Sequence, residues 1–370
     1  MKGGVSLWST VVDYFLILSA IIGVGFASGK EICVFFFDFG GMSLLGLLSF
    51  GLLYIYLFFV IEHVRKKLNL NSYNEFNQAI FGKMCKLSNV IMLINFSITC
   101  AGMLAGADYL FETFFGVGYK IPSIILSVVT FCLLIGGISR IRIVANLIIP
   151  VMIFAIVINS IGNINPHNVS LPITIGNAHM AVYYGLLFGV NNFVAALPVL
   201  FETKLKSKGK LVVILSICLI ILLNILVFAS NNFSTDMPMF ELSGNVSTSF
   251  YYIYFMTLIL ALFSTLMICS FNMYKILKRQ EKSIFLALII IIFNMILSNF
   301  GYGFIVKYLY LISGLFSGVF VVVLIVLMLI KLIRIRKINK KDIDKNFKFK
   351  SKIYIKHQKN REKTDKNIKK

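Results

Sequence analysis

The sequence predicts an all-α integral membrane protein with ten transmembrane helices, arranged as an inverted repeat of five helices plus five. Two observations of composition and length lead to this prediction. The 370 residues are 58% hydrophobic and only 14% charged, with a mean hydropathy of +0.88. That is too little charge to cover the exterior of a soluble domain. Ten apolar runs also reach the roughly 20 residues of helix that a bilayer core of about 30 Å requires.

The ten segments are continuous apolar runs. Membrane strands would instead alternate in polarity along the chain, so helices are the structure that fits these runs in lipid. The segments span roughly residues 9–37, 39–63, 87–115, 120–138, 141–161, 178–201, 210–230, 249–275, 283–300 and 309–333.

Charge on the connections predicts the orientation. One side of the membrane, counting both termini, carries 33 of the 36 basic residues, and the other side carries only Lys120 and Lys307. Because basic loops stay in the cytoplasm, both termini are predicted to be cytoplasmic. Seventeen basic residues follow Ile330, so the net charge of +21 reflects topology and not a nucleic-acid groove. The bias toward Ile, Lys, Asn and Phe is typical of an AT-rich bacterial genome, so we expect a bacterial cytoplasmic membrane.

The basic C-terminal tail has two interpretations. It is either a disordered cytoplasmic extension or a segment that contacts anionic lipid headgroups, at about 1 kcal/mol per charge. The predicted parts of the chain are a cytoplasmic N-terminus (1–8), a first transmembrane repeat (9–161), an extracellular loop (162–177), a second transmembrane repeat (178–333) and the tail (334–370).

Segments six to ten repeat the spacing of segments one to five. Shifting the first five by 166 residues places them within a few residues of the last five, and carries Gly23-Val24 onto Gly189-Val190. An odd number of crossings makes the second unit enter from the opposite side, which gives the inverted repeat that many secondary transporters share.

The first segment contains L-S-A-I-I-G-V-G-F-A-S-G-K-E-I, which ends in Gly29, Lys30 and Glu31. Glycine destabilises a helix by up to about 1 kcal/mol relative to alanine, and lysine deep in a membrane costs at least about 2.5 kcal/mol. A helix broken at Gly23–Gly29 accounts for both, because its freed carbonyls can bind a cation and its second half can face an anion. The alternative is a small-residue packing face with both charges snorkelling to the interface.

The sixth segment, the repeat mate of the first, has its own signals for a break. Asn191 and Asn192 are adjacent amides in mid-membrane, and Gly185, Gly189 and Pro198 weaken the helix around them. We therefore predict that helices 1 and 6 are both broken and that a binding site lies between them near the midplane.

Two further segments carry candidate residues. In the third, Gly102 and Gly106 allow close approach to the broken helices, while Asp108 either binds a proton or cation or lies at the outer mouth. In the eighth, the hydroxyls of Ser264 and Thr265 either bond back to their own helix or complete an oxygen cage for sodium.

Motifs for other chemistry do not occur in the sequence. Its six cysteines lack C-x-x-C spacing, its four histidines lie at segment ends or in loops, and it has no Walker, H-E-x-x-H or nucleophile-elbow motif. We expect a protein that is not an enzyme and that uses no cofactor, with Na⁺ or H⁺ as a coupling ion.

The stretch I-I-G-V-G-F-A-S-G-K-E-I resembles the G-x-G-F-A-S-G-x-E signature of the YkvI-like bacterial membrane proteins. Those proteins resemble, more distantly, the LeuT-type amino acid–polyamine–organocation superfamily, and the resemblance covers residues 9–333. It implies a LeuT-like fold in which unwound helices 1 and 6 bind the substrate and helices 1 and 8 bind sodium. Position 30 is often Gln in the family, and Lys30 here could repel a cation or replace one.

The resemblance also implies individual site residues. The expected substrate-binding residues, with the two close-approach glycines, are Gly23, Gly25, Phe26, Ala27, Ser28, Gly29, Gly102, Gly106, Tyr184, Phe188, Gly189 and Asn192. The expected ion-coupling residues are Ser19, Ile22, Ala261, Ser264, Thr265, Lys30 and Glu31, with Ser264 and Thr265 as sodium ligands.

The function expected from these features is secondary active transport of a small organic solute, an amino acid or a related molecule. Alternating access would move the solute, driven by sodium or protons. Two alternatives stay open: a non-transporting membrane sensor or assembly partner on the same scaffold, and a channel, for which no charged ring is visible. The oligomeric state is not set by the sequence.

Overall fold

The computed structural model describes the chain from Gly23 to Ile333 with seven internal gaps, together with three residues of the first segment. All described regular structure is helical. The described residues are 14, 15, 18, 23–116, 118, 120–134, 138–164, 177–202, 209–230, 235–277 and 283–333. The predicted N-terminus (1–8), the tail (334–370), and Ser19 and Ile22 lie outside them.

Helices occupy all ten predicted segments, and two shorter helices lie between segments. The helices are α1 (Val24–Ala27), α2 (Lys30–Phe36), α3 (Ser43–Leu68), α4 (Tyr73–Phe81), α5 (Cys85–Phe115), α6 (Ile121–Leu134), α7 (Ile138–Gly162), α8 (Ala178–Glu202), α9 (Gly209–Ser230), α10 (Pro238–Val246), α11 (Thr248–Leu277), α12 (Ser283–Ser298) and α13 (Tyr302–Ile333). Short 3-10 turns at Phe37–Met42 and Gly82–Met84 precede α3 and α5, and α13 contains a π-helical turn at Ile305–Leu309.

The long helices have the length and surface of membrane-spanning elements. Six described helical stretches are apolar and long enough to cross a membrane, and α6, α12 and part of α7 are shorter apolar helices. Large side chains such as Leu52, Leu147 and Phe154 are 70%, 73% and 68% exposed. Apolar side chains at that exposure belong against lipid rather than water. The protein is therefore a multi-pass membrane protein.

The helix positions reproduce the predicted repeat, including an element that the sequence did not predict. Shifting the first-repeat helices from α3 to α7 by 166 residues brings each start within four residues of a second-repeat helix. The short helix α4 shifts onto 239–247, where α10 lies. Each short helix packs on the first helix of the other repeat: Phe76 of α4 lies 5.0 Å from Phe201 of α8 between ring centroids, and the Met239 N–H donates to the Ser28 carbonyl at 3.0 Å.

Glycines set the closest helix crossing. A Cβ atom on Gly46 of α3 would lie 2.7 Å from the Ala181 carbonyl of α8, and a Cβ on Gly185 would overlap the Gly46 carbonyl. The Ser49 hydroxyl donates to that carbonyl at 2.7 Å. Larger residues would push α3 and α8 apart, so these glycines hold α8 in place beside the broken first helix.

The chain divides into two compact units, Met1–Val321 and Val322–Lys370. The first holds every contact described below. The described part of the second is the end of α13, through Ile333.

The predicted break in helix 6 is wrong. α8 is a single helix from Ala178 to Glu202, with Pro198 inside it. The two amides find partners without unwinding: Asn191 Oδ1 accepts from Asn95 Nδ2 at 2.6 Å, and Asn192 Nδ2 donates to the Phe188 carbonyl at 3.0 Å. Since both amides are satisfied by side-chain or local hydrogen bonds, the helix has no need to open around them.

Candidate functional site

The first helix is broken at Ser28–Gly29, within the predicted region. α1 ends at Ala27, and Gly29 has φ 82° and ψ −7° before α2 begins at Lys30. This left-handed conformation costs other residues about 1–2 kcal/mol and costs glycine little. The break therefore depends on a glycine at position 29.

The carbonyls of the break are held by protein groups. The Tyr254 hydroxyl of α11 donates to the Ala27 carbonyl at 2.6 Å, and the Met239 N–H of α10 donates to the Ser28 carbonyl at 3.0 Å. The Ser28 hydroxyl donates to the Gly25 carbonyl at 3.2 Å and lies 2.8 Å from the Tyr302 hydroxyl. The expectation that these carbonyls are free to bind a cation is therefore wrong for Gly25, Ala27 and Ser28 in this conformation.

A cavity of about 40 Å³ lies beside the broken helix. Five elements meet around it: the first helix, α5, α8, α11 and α13. The lining residues are Gly23, Glu31, Thr99, Met103, Asn191, Asn192, Ala195, Thr265, Ile268, Cys269 and Tyr310.

Three polar atoms at this cavity lack a hydrogen-bond partner among the described residues. They are Oε2 of Glu31, Oγ1 of Thr265 and the hydroxyl oxygen of Tyr310. The three side chains are 8%, 9% and 3% exposed. More than nine in ten buried polar groups in proteins have a partner, so three unpartnered atoms around one cavity indicate a place for a polar occupant.

Glu31 reaches the cavity by folding back over the first helix. A Cβ atom on Gly25 would overlap the Glu31 carboxylate. Position 25 must therefore lack a side chain for the carboxylate to lie where it does.

Helix α8 contributes two amide side chains to the cavity lining, Asn192, which was predicted as a site residue, and Asn191, which was not. Asn191 Oδ1 also accepts from the hydroxyls of Ser313 at 3.0 Å and Ser317 at 3.4 Å. The Asn192 NH₂ group donates to the Phe188 carbonyl of its own helix. The network fixes the wall that faces Glu31.

Lys30 points away from the cavity. Its Nζ lies 2.5 Å from Asp236 Oδ1 and donates to the Thr235 carbonyl at 3.3 Å. The lysine therefore compensates an acid in the segment before α10, and it is absent from the cavity lining.

The cavity brings together part of the predicted site. Gly23 and Asn192 of the substrate set and Glu31 and Thr265 of the ion set line it. The Ser264 hydroxyl instead donates to the Ala261 carbonyl at 3.0 Å, which is the back-bonding alternative. Ser19 and Ile22 lie outside the described residues.

Other predicted substrate residues pack elsewhere. Phe188 lies 5.1 Å from Phe50 between ring centroids, and Tyr184 lies 5.2 Å from Phe39. A Cβ on Gly102 would lie 3.2 Å from the Tyr310 hydroxyl, which shows a close-approach role. The remaining predicted residues that the structure places outside the lining are Phe26, Ala27, Ser28, Gly29, Gly106 and Gly189, along with Gly25 beneath Glu31.

Asp108 has a structural role. Its Oδ1 accepts from the Ser123 N–H at 3.0 Å, in the first turn of α6, and its Oδ2 lies 3.2 Å from Lys120 Nζ. A carboxylate at a helix N-terminus is stabilising, so Asp108 fastens α6 to α5 rather than serving the cavity.

Sequence reasoning missed several lining residues. Thr99, Met103, Ala195, Ile268, Cys269 and Tyr310 carry no motif that separates them from ordinary membrane packing.

In the described part of the chain, no three His, Cys, Asp or Glu residues cluster in a way that could hold a metal ion. Among the lining residues named above, Glu31 is the one with a carboxylate side chain.

The fold and the cavity define a class: a multi-pass helical membrane protein with a polar cavity beside a broken helix. No family model matches the chain. It is 24% identical over 327 residues to the uncharacterized membrane protein YkvI of Bacillus subtilis (strain 168), which covers 83% of this chain and 92% of that protein. It is also 26% identical over 153 residues to the uncharacterized protein YyaD of the same strain, covering 40% of this chain and 43% of that one.

Among solved structures, the chain resembles the manganese transporter of Eremococcus coleocola. In complex with an aromatic bis-isothiourea substituted compound, that protein gives a TM-score of 0.59 at 13% identity, covering 89% of this chain and 81% of the transporter. A mutant of it gives 0.58 at 14% identity with the same coverage. The chain therefore has a LeuT-type transporter fold, and identity at this level establishes the fold alone.

Proposed function

We propose that the protein is a secondary transporter that moves a small organic solute, an amino acid or a related molecule, across the bacterial cytoplasmic membrane by alternating access. The observation that carries this proposal is the cavity whose lining includes three residues with a buried, unpartnered polar atom. Each such atom costs about 1–3 kcal/mol when unsatisfied. A transient occupant would satisfy them.

The helix packing supports alternating access. α3 is held against α8 through Gly46 and Gly185, and α5 packs against α11, where a Cβ on Gly106 would lie 3.0 Å from Leu262. The cavity lies between these two close pairs. Transporters of this fold class move one such bundle against the other around a fixed site.

Coupling to sodium or a proton is part of the proposal. Ser264 is occupied by its own helix, so Thr265 and Glu31 are the described ion-coupling candidates at the cavity. An isolated buried carboxylate is costly, and either ion would neutralise it.

Uptake into sealed proteoliposomes tests the proposal. Under an imposed sodium or proton gradient, we expect the wild-type protein to accumulate at least one labelled amino acid or related solute above its external concentration. Thr265→Val should reduce the rate at least about tenfold, because it removes a polar group that faces the cavity. Thr257→Val on the same helix is the matched control, since its hydroxyl donates to the Ile253 carbonyl at 2.9 Å.

Two outcomes would point to other functions. Accumulation of labelled Mn²⁺ but of no organic solute would make the protein a metal-ion transporter, like the structures it resembles. No gradient-dependent uptake of either class by folded protein would favour the membrane sensor or assembly partner.

A further inference from the structure

We propose that the π-helical turn Ile305–Leu309 of α13 is a hinge that releases the broken first helix. In the structure, this turn connects Tyr302, which lies at the break, to Tyr310, which lines the cavity. Its conversion to α-helix would rotate the start of α13 and undo the contacts of that start with the first helix. The inference goes beyond the proposed function, because it assigns a moving part and requires no particular occupant of the cavity.

The start of α13 is attached to the first helix at two points. The Tyr302 hydroxyl lies 2.8 Å from the Ser28 hydroxyl at the break. At the next residue, a Cβ atom on Gly303 would overlap the carboxylate of Asp236, and that carboxylate lies 2.5 Å from Lys30 Nζ. The two attachments therefore require a hydroxyl at position 302 and no side chain at position 303.

The π turn sets the register between these attachments and the cavity. It bonds residue i to i+5 and so takes up one residue more than an α turn. In a continuous α-helix, at about 100° per residue, Tyr302 and Tyr310 would lie about 80° apart around the axis, whereas the extra residue brings them to about 20°. Ile305 and Val306, two adjacent residues inside the turn, are both fully buried, as a widened turn allows.

The repeat does not require a π turn at this place. The matching positions of the first repeat, 139–143, lie within the α-helix α7. Turns of this kind are rare, occur mostly as single turns inside α-helices and are frequent at functional sites. Gly301, with φ 82°, joins α12 to α13. Because glycine has few backbone restrictions, this joint allows the start of α13 to rotate.

Conversion of the π turn to α-helix would exchange the residues at both attachments. If the helix beyond Tyr310 stays in place, each residue before the turn rotates by about 100° and takes the position of its predecessor. Gly303 would then occupy the place of Tyr302 and offer no hydroxyl to the break. Phe304 would occupy the place of Gly303, and its side chain would displace the Asp236 carboxylate. One rearrangement therefore releases both attachments and leaves Tyr310 at the cavity.

Deletion of Tyr308 tests whether the turn holds an extra residue. Tyr308 lies in the π turn and is exposed, so its removal leaves a continuous α-helix in which Tyr302 and Tyr310 keep their faces. The variant, purified in detergent, should melt within about 4 °C of the wild type. Phe316 is also exposed but lies in the α-helical part of α13. Its deletion removes no extra residue, shifts the register of the helix and should lower the melting temperature much further.

Hydrogen–deuterium exchange measures the motion itself. Amide exchange reports local opening, and conversion must break the i to i+5 hydrogen bonds of the turn. In the wild type, we expect the peptides that contain residues 28–30 and 302–309 to open together. Deletion of Tyr308 should slow the exchange of both at least about tenfold, because the second register is lost. Tyr308→Ala removes the same side chain, keeps the residue count and should exchange like the wild type.

A second variant measures the hinge without any deletion. Tyr302→Phe removes the hydroxyl at Ser28, so the attached register is less favoured and both peptides should exchange at least about threefold faster. Tyr54→Phe is the matched control, because the Tyr54 hydroxyl is buried without a partner in the described structure. It should leave both peptides unchanged.

The outcomes separate the hinge from the transporter. The hinge is overturned if deleting Tyr308 destabilises the protein as much as deleting Phe316, if it leaves exchange unchanged, or if only the α13 peptide slows. It is also overturned if Tyr302→Phe exchanges like the wild type. Slowed exchange in a protein without solute uptake would retain the hinge and remove the transporter. Uptake by the Tyr308 deletion at the wild-type rate would do the reverse.

Discussion

The first helices of the two repeats, α1–α2 and α8, satisfy their buried polar groups in different ways. Both bring polar groups into the middle of the bundle. The first helix breaks at Gly29 and gives its carbonyls to Tyr254 and Met239. α8 stays continuous and gives its Asn191 amide to side chains of neighbouring helices. A break therefore needs a residue that tolerates positive φ, together with hydrogen-bond donors placed to bond the freed carbonyls. Weak helix formers alone, such as those in α8, are insufficient.

The same contrast assigns different mechanical roles to the two helices. Four connections hold the break, from α10, α11, α13 and its own turn, and each must change if the first helix moves. α8 is locked to α3 through glycine contacts that no side-chain rotation can release. We infer that α8 moves with α3 as one body, whereas the broken helix is the part that rearranges locally.

The largest expected effect on stability comes from the amide that keeps α8 whole. Asn191→Leu should lower the free energy of unfolding by about 2–3 kcal/mol, because it removes the acceptor of three hydrogen bonds and leaves buried donors behind. Unfolding in a denaturing-detergent titration measures it. Asn192→Leu is the control on the next residue and should cost about 1 kcal/mol or less, since its amide bonds only to its own helix. Equal losses would show that the interhelical network is not what stabilises α8.

A glycine pair compares the two helices directly. Gly29→Ala should destabilise the protein by about 1–2 kcal/mol, the cost of a left-handed conformation for a residue with a Cβ. Gly189→Ala should be neutral or stabilising by up to about 1 kcal/mol, because position 189 is helical and its Cβ would make ordinary contacts at 3.4 Å. Melting temperatures of both variants in one detergent give the comparison. A Gly29→Ala variant as stable as the wild type would mean that the break persists without its glycine.

Hydropathy predicted where the long apolar helices lie, because lipid selects apolar residues over about 20 positions in a row, whatever their partners are. The break at Gly29 was also predictable, since glycines and a charge in an apolar run have a cost that needs a reason. The continuity of α8 was not predictable, because the hydrogen-bond partners of Asn191 are distant in sequence. Asn95, Ser313 and Ser317 lie 96, 122 and 126 residues away from it. Tyr310 was missed for the same reason: it matters through what it faces, and aromatic residues are common throughout this sequence.

Two buried tyrosines allow a measurement of how much the hydrogen bond to the Ala27 carbonyl contributes to the free energy of unfolding. Tyr254→Phe removes the donor to the Ala27 carbonyl and should cost about 1–2 kcal/mol. Tyr54→Phe is the matched control, because the Tyr54 hydroxyl is buried without a partner in the described structure. Removing it should be neutral or stabilising. Chemical denaturation of the two variants side by side gives the difference. Identical behaviour would show that the Ala27 carbonyl finds another donor when Tyr254 loses its hydroxyl.

The smallest expected effect is at the outer edge of the break, where Lys30 pairs with Asp236. The two side chains are 16% and 34% exposed, so water and salt screen the pair. Lys30→Met and Asp236→Asn should each lower stability by about 1 kcal/mol or less, and a double-mutant cycle should give a coupling of about 0.2–1 kcal/mol that shrinks in high salt. A coupling that high salt leaves unchanged would show instead that the pair is shielded from solvent.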